Sequence, residues 1–355
     1  MELIAAPLNS LLLADKLSSY LKCSHIDHRT IQSLSLKLGV LFSSIFLSNN
    51  LLNAYVSQSN SVDARKLFDE IPRRNIVTWS AMVSCYTQMG NLKDAIFFFR
   101  EMQRSYLLPN KFTFGSSITG CARVRDSRTG AQIHCGTVKF GFELDTFIAG
   151  ALIDMYAKCG KIDDSWEVFN QTPDKDVVSW TTMITSLVNS GECRYQNAAF
   201  EFFRDMVRTG VWPVSMTFSS LFKVFDEPSE LKQAKQAHGH MVKTGIEVDD
   251  QLRSSLLAMY GRCGGIDEVV RLSLRMNHDL VSLTSLLAAY TQNGFDADAI
   301  EVFRRMVEEE MMIDRFVIVS VITACSTARE ARKGKEVHGY ALRRSFVSDV
   351  SVGNS

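Results

Sequence analysis

A chain of 355 residues with 39 basic and 39 acidic side chains and 46% hydrophobic residues carries no net formal charge. That balance excludes indiscriminate electrostatic attachment to phosphate, which needs an excess of cations, and it excludes composition-driven disorder. The eight cysteines contain no C-x-x-C pair and no run of 18 uncharged apolar residues occurs, so the thiols read as reduced packing groups and no membrane span is expected.

The opening stretch, MELIAAPLNSLLLADKLSSYLK, has an acidic residue at position 2 and no arginine before Arg29. It forms neither a secretory signal nor an Arg-rich presequence. Residues 1–9 read as a short leader and 10–44 as a faint helical hairpin with LSLKLGV in its second helix. Then the chain begins to repeat. FLSNNLLNAYVSQS starts at Phe46, FIAGALIDMYAKCG 101 residues later at Phe147, and QLRSSLLAMYGRCG a further 104 residues on at Gln251. Each is followed by a second helix such as SVDARKLF or KIDDSWEVF, completing a unit of about 31 residues. Ser273 stands where Phe68 and Phe169 sit in the earlier copies, so looser packing is expected there.

The next unit is VTWSAMVSCYTQMG from Val77, VSWTTMITSLVNSG from Val178 and VSLTSLLAAYTQNG from Val281. Trp79, Met82, Val83 and Tyr86 fall at i, i+3, i+4, i+7, as do Leu283, Leu286, Leu287 and Tyr290, the apolar stripe of an amphipathic helix. Gly90, Gly191 and Gly294 close these helices, where a left-handed residue is cheap. A second stripe follows, Ala95, Phe98, Phe99 and Met102 in the first copy. The middle copy is three residues longer around Glu192 to Asn197, an insertion expected to lie in a loop. The third unit runs from Phe112, with cognates from Met216 and Phe316, and carries His134, His238 and His338 each 22 residues after its first residue.

No single hairpin can bury its stripe, but stacked neighbours can, which predicts an all-α, right-handed α-solenoid of about ten hairpins. The boundaries are a degenerate unit of the His-bearing type at 10–44, then one short unit, one of the V-x-W type and one of the His-bearing type in each of 45–145, 146–249 (with the three-residue insertion in its second unit) and 250–349. Residues 350–355 start a further unit, so the expectation is a truncated chain. MYAKCG, with Cys159 beside Lys158, looks like a reactive-cysteine motif. In register it is a helix end, where Met155 and Tyr156 continue the stripe and Gly160 stops it.

The alternation of 35-, 35- and 31-residue units, with MYAKCG, V-x-W, TF…C and the His-bearing helix, resembles the plant pentatricopeptide repeat family, PLS subclass. The resemblance covers residues 10–355, and the chain ends before the E/DYW extension that some members carry could start. Tetratricopeptide repeats differ, with a constant 34-residue period and a W-x-x-L-G start. The resemblance implies single-stranded RNA as partner, about one base per repeat. It also implies an organellar transcript (mitochondrial in preference to chloroplast), possible contact with other RNA-editing factors, no membrane, and no cofactor.

In that family the fifth and last residues of a repeat bond the base edge, and the second wedges between bases. Carried onto this chain, the pairs matching the code are Asn49 with Asn75, Ser80 with Asn110, Ser254 with Asp279, and Thr284 with Asp314. They imply cytosine, adenine, guanine and guanine, 5′ to 3′. Aspartate can accept from guanine N1–H and N2–H, and an asparagine amide both donates and accepts. Gly150 with Asp176 and Thr181 with Val214 depart from the code. Phe46, Val77, Phe147, Val178 and Val281 fit the wedge, and Gln251 does not. The plain alternatives are that polar fifth residues cap or solvate a helix and that second residues pack between helices.

Catalysis finds little support. His238 and His240 form H-G-H without further ligands at metal spacing, so no metal is expected. The deaminase signature H-x-E with P-C-x-x-C is absent, as is G-x-x-x-x-G-K-[ST]. Arg123, Arg125 and Arg128 are expected on a solvated turn. The leading reading is a non-catalytic, sequence-specific RNA-binding module for organellar RNA editing or processing. Its rival is a helical-repeat scaffold that binds a peptide in the same groove.

Overall fold

A computed structural model describes residues 5–21, 27–275, 280–344 and 346, and divides into two compact units, Met1–Ser186 and Leu187–Ser355. In the first unit the helices are α1 (Ala5–Tyr20), α2 (His28–Lys37), α3 (Ile45–Ser57), α4 (Ser61–Glu70), α5 (Ile76–Gln88), α6 (Leu92–Arg104), α7 (Lys111–Val124), α8 (Ser127–Lys139), α9 (Thr146–Lys158) and α10 (Ile162–Gln171). The unit boundary falls inside α11 (Val177–Asn189). The second unit continues with α12 (Cys193–Arg208), α13 (Ser215–Leu221), α14 (Leu231–Thr244), α15 (Asp250–Arg262), α16 (Ile266–Arg275), α17 (Leu280–Gln292), α18 (Asp296–Glu308), α19 (Arg315–Thr327) and α20 (Ala331–Arg343).

The helices start where a short polar side chain can take over an orphan N–H. Asn75, Asn110, Asp145, Asp249 and Asp314 each accept from a backbone N–H of the first turn, a contribution of about 1 kcal/mol apiece. They stop where the chain turns left-handed, with Gly90 at φ 75° and Gly160 at φ 73°. In the first short unit Ser59 occupies that conformation, at φ 56°.

The stripes bury as their periodicity demands. Trp79, Met82 and Val83 of α5 face Ala95, Phe98, Phe99 and Met102 of α6, all buried, while Tyr86 stays half-buried and stacks on Phe98. Phe68 of α4 meets Trp79 and Phe98 edge-on, at centroid distances of 4.9 and 5.2 Å. Phe169 repeats the contact with Trp180 at 4.8 Å. Ser273, at their place in the third copy, is buried and its hydroxyl turns back to the Val270 carbonyl. First helices pack on first helices: α3 on α5, α5 on α7 and α7 on α9 in one unit, α13 on α15, α15 on α17 and α17 on α19 in the other. Second helices pack between successive first helices, so each unit has two helical layers with the apolar stripes between them.

Two local expectations are corrected. The three extra residues of the middle copy do not widen a loop. They lengthen the second helix, α12 having 16 residues against 13 in α6 and 13 in α18. They add an almost complete turn ahead of Ala199, where the buried stripe begins, so its register is untouched. Arg123 is not idle on a solvated turn. Its guanidinium donates to the Thr87 and Gln88 carbonyls at 3.1 and 2.7 Å, satisfying the open end of α5. Arg262 does the same for the Phe222 and Phe225 carbonyls beyond α13, at 2.7 and 3.2 Å, and the Asn293 amide for Gly261 at 2.7 Å.

Candidate nucleic-acid interface

Because the first helices stand side by side, the fifth residue of one lies against the start of the next. Asn49 is the fifth residue of α3 and Asn75 the cap before α5. The Asn49 Nδ2 donates to Asn75 Oδ1 at 3.2 Å, and Thr78 Oγ1, the third residue of α5, donates to Asn49 Oδ1 at 2.7 Å. Thr78 and Asn75 also exchange the two bonds of a capping box. Asn49 is only 6% exposed and Thr78 is fully buried. Asn75 itself is half-buried, and its amide nitrogen takes part in none of these bonds.

The next junction is built alike with a shorter side chain. Ser80 and Thr113 hydroxyls lie 2.6 Å apart, and Thr113 donates to Asn110 Oδ1 at 2.9 Å, which also accepts the Thr113 N–H at 2.9 Å. Asp176 accepts from the Ser179 N–H and hydroxyl, each at 2.8 Å, while opposite it Gly150 presents open space: a Cβ built there meets only Val178 Cγ1, at 4.0 Å. Thr181 is buried, and Val214 caps α13 with its backbone alone, its N–H donating to Thr217 Oγ1 at 3.2 Å.

The last junction differs. Asp314 caps α19 by accepting the Val317 N–H at 2.9 Å, and Thr284 is half-buried. Val317 holds the position of Thr78 and Thr113 and offers no hydroxyl, so nothing ties Thr284 to Asp314. Ser254 is half-buried on α15, and its assigned partner Asp279 lies outside the described residues.

In each unit, the second residues of the first helices beside these junctions are largely exposed. Phe46, Val77, Phe147 and Val178 are between 47% and 59% exposed, and Val281 is half-buried. The structure adds Phe112, Met216 and Phe316, the second residues of α7, α13 and α19, at 60–65%. They continue the same periodic position, which is the signal that finds them in the sequence. Phe147 is not free-standing: its ring leans across Gly115, the fifth residue of α7, and lies 6.1 Å from Phe112.

The chemistry-bearing residues outside this face are engaged structurally. His134 and His238 meet the hydroxyls of Tyr156 and Tyr260 through Nδ1 at 2.9 and 2.8 Å. Burial holds both imidazoles below the ordinary histidine pKa and pushes both phenols up to about 12. His240 faces the Phe203 ring instead, so the two imidazoles of H-G-H have different neighbours. Burial raises the Cys159 thiol, and the adjacent Lys158 is held by Asp154 at 2.7 Å, which is the opposite of an activated thiolate. Among the described residues no group of three His, Cys, Asp or Glu is placed to hold a metal, and no helix is long and apolar enough to cross a membrane.

Known proteins give this arrangement a context. The profile of the pentacotripeptide-repeat region of PRORP matches residues 99–289, that of the PPR repeat family 74–123, and that of the PPR repeat 46–76 and 281–311. Three similar Arabidopsis thaliana proteins are all pentatricopeptide repeat-containing. One, named as chloroplastic, is 31% identical over 90% of this chain and 35% of its own length. A second is 31% identical over 88% of this chain and 55% of its own, and a third, named as mitochondrial, 33% over 82% and 46%. The chain therefore spans about half, or less, of the length of these relatives. Among solved structures it is similar to the pentatricopeptide repeat protein PPR10 in complex with an 18-nt psaJ RNA element, at TM-score 0.68 and 19% identity, over 94% of this chain and 50% of that one. PPR10 from maize aligns at TM-score 0.57 and 18% identity, over 92% and 53%. The fold is an all-α solenoid of stacked helix–turn–helix repeats.

Proposed function

Since this chain belongs to the pentatricopeptide repeat family, we propose that it is a non-catalytic module that recognises single-stranded RNA by sequence. Its setting is RNA editing or processing in an organelle, as the chloroplastic and mitochondrial names of its relatives and the RNA bound to PPR10 suggest. We assign it to the PLS subclass, which the spacing of first helices at Ile45, Ile76, Lys111 and Thr146 supports with steps of 31, 35 and 35 residues.

The observation that carries the reading is the junction itself. At Asn49 and Asn75 the fifth and capping residues bond directly, and at Ser80 and Asn110 they are joined through Thr113, beside exposed apolar side chains on which bases could stack while the junction meets their edges. At two junctions the chemistry of the side chains is compatible with the base assigned there. At Asn49 and Asn75 the open group is an amide donor, suited to the O2 and N3 acceptors of cytosine. At Thr284 and Asp314 it is a carboxylate oxygen, suited to the N1–H and N2–H donors of guanine.

The test is selection from a random RNA pool, followed by the same selection with Thr284→Asn. The recovered motif should carry guanine at one register, and the variant should move that register toward a pyrimidine with helicity unchanged. A pool recovered without base preference, or a peptide bound in its place, would overturn the proposal.

A further inference from the structure

Between α6 and α8, in the layer of second helices, lies a cleft of about 180 Å³ lined by Phe99 of α6, Phe114 of the underlying α7, and Ile133 and Gly136 of α8. Phe99, Phe114 and Ile133 are buried, and the two phenylalanine rings meet at 5.5 Å. The volume suits a single side chain and falls short of an ordinary small-molecule pocket. The two later periods build the same cleft and put a ring in it. His240 and Tyr340 hold the position of Gly136, and Phe203 and Phe303 that of Phe99. His240 lies edge-on to Phe203 at 5.9 Å, and Tyr340 edge-on to Phe303 at 5.7 Å. The third cleft is wider, about 340 Å³, yet Tyr340 still occupies the place on its phenylalanine. In the first, Gly136 has no side chain to offer, and α8 brings no ring to Phe99.

The rim differs in the same period. Arg204 pairs with Glu201 at 2.8 Å and Arg304 with Glu301 at 2.6 Å, each one turn back on its own helix. Their counterpart Arg100 is exposed, has Phe97 in that place, and forms no ion pair with any described residue. It is the one cation lining the first cleft, and no carboxylate lines it. Two groups that the other copies carry within the chain are therefore missing together: a ring against the phenylalanine and a carboxylate beside the arginine.

We propose that the α6–α8 cleft docks a segment of another protein in which Phe or Tyr is flanked by Asp or Glu. The ring enters the space left by Gly136 and meets Phe99 edge-on, as His240 and Tyr340 meet their phenylalanines, while the carboxylate pairs with Arg100. The inserted aromatic anchor carries most of the affinity, and the exposed ion pair chiefly selects the partner. Nucleic acid also offers rings and negative charge, but a lone arginine matches one carboxylate better than a chain of phosphates, which calls for several cations. The cleft also lies in the layer opposite the first helices, so this docking goes beyond the RNA reading and does not rest on it.

The experiment is selection of a random peptide library, displayed on phage, against the full chain, followed by titration of a synthetic peptide of the recovered sequence. The recovered peptides should converge on Phe or Tyr next to Asp or Glu. Gly136→His, which copies the second period, should weaken the synthetic peptide roughly tenfold. Arg100→Glu should weaken it about fivefold and turn the preference toward peptides flanked by Lys or Arg. Circular dichroism should be unchanged in both, because Arg100 is exposed and the second period carries His240 together with Phe218, the counterpart of Phe114. Recovered peptides without an aromatic–acidic pair, or a peptide indifferent to both variants, overturn the docking site. Single-stranded RNA that loses affinity on Gly136→His would place nucleic acid in the cleft and overturn it as well.

Discussion

The first and the last periods of this chain place the same kind of junction in opposite states. At the start, Asn49, Asn75 and Thr78 are closed into a ring of hydrogen bonds, with Asn49 and Thr78 nearly shut off from water. At the end, Asp314 caps its helix without any bond to Thr284, and Val317 stands where the bridging hydroxyl would be. The core beneath follows suit, with Phe68 wedged between Trp79 and Phe98 in the first period and Ser273 at the same place in the third. The third residue of the following first helix, Thr78 or Val317, decides whether a pair proposed for recognition is also tied into the structure. The same polar pair can therefore be a fastener in one repeat and a free hand in another.

The sharpest break of that comparison is truncation of the fifth residue at both ends. Asn49→Ala removes the buried amide that bonds both Thr78 and Asn75, which keep only their bonds to each other, and should lower unfolding free energy by about 1 kcal/mol. Thr284→Ala removes a half-buried hydroxyl that holds nothing, and should stay within about 0.5 kcal/mol of the parent. Chemical denaturation of both variants checks the pair, and equal losses would dissolve the distinction.

A smaller effect separates the periods through pH. In the first, the Tyr55 hydroxyl donates to Gln32 at 2.6 Å, and glutamine does not titrate in this range. In the next two its counterparts meet His134 and His238, whose pKa values burial depresses, while Glu167 and Asp164 near the former and Glu268 near the latter oppose the shift less strongly. A depressed histidine takes up its proton more readily in the unfolded chain, so its stabilisation is complete above the ordinary value of 6.5 and is lost as pH falls below it. Melting temperature should drop between about pH 7 and 5, and His134→Gln with His238→Gln should flatten the drop. Parallel curves for parent and variant would show that the histidines are not its cause.

The least change concerns the turn after α3. Ser59 adopts φ 56° where the later copies have Gly160 and Gly264 at 73° and 72°. Ser59→Gly should stabilise the first period by about 0.5–1 kcal/mol, the relief of left-handed strain less the entropy of a freer unfolded chain. Thermal unfolding reads it, and a loss of stability would mean that Ser59 is not strained.

Much of this was legible in the residues, for reasons that can be named. Stripes such as Leu283, Leu286, Leu287 and Tyr290 announce their helix because burial follows the 3.6-residue period. The capping asparagines and aspartates mark helix starts because their side chains compete for the backbone. The bases proposed for the junctions rest only on resemblance, since no local pattern says that Asn49 and Asn75, 26 residues apart, touch. The lean of Phe147 across Gly115 was hidden for the same reason, as it depends on how closely α7 and α9 approach. The insertion at α12 misled because extra length is commonly taken up by loops, whereas here a polar first turn absorbed it. Arg123 was misjudged because sequence shows a charge but not the carbonyls of a neighbouring helix.

Those carbonyls have a consequence for how the molecule comes apart. The final turn of a helix is ordinarily the first to fray, its last acceptors having only water. At Thr87 and Gln88, and again at Phe222, Phe225 and Gly261, the acceptors are held by a side chain from the following repeat. Such an end cannot open alone. Opening it also breaks a bond to its neighbour, so amides near each clasp should exchange more slowly than those at helix ends that lack one.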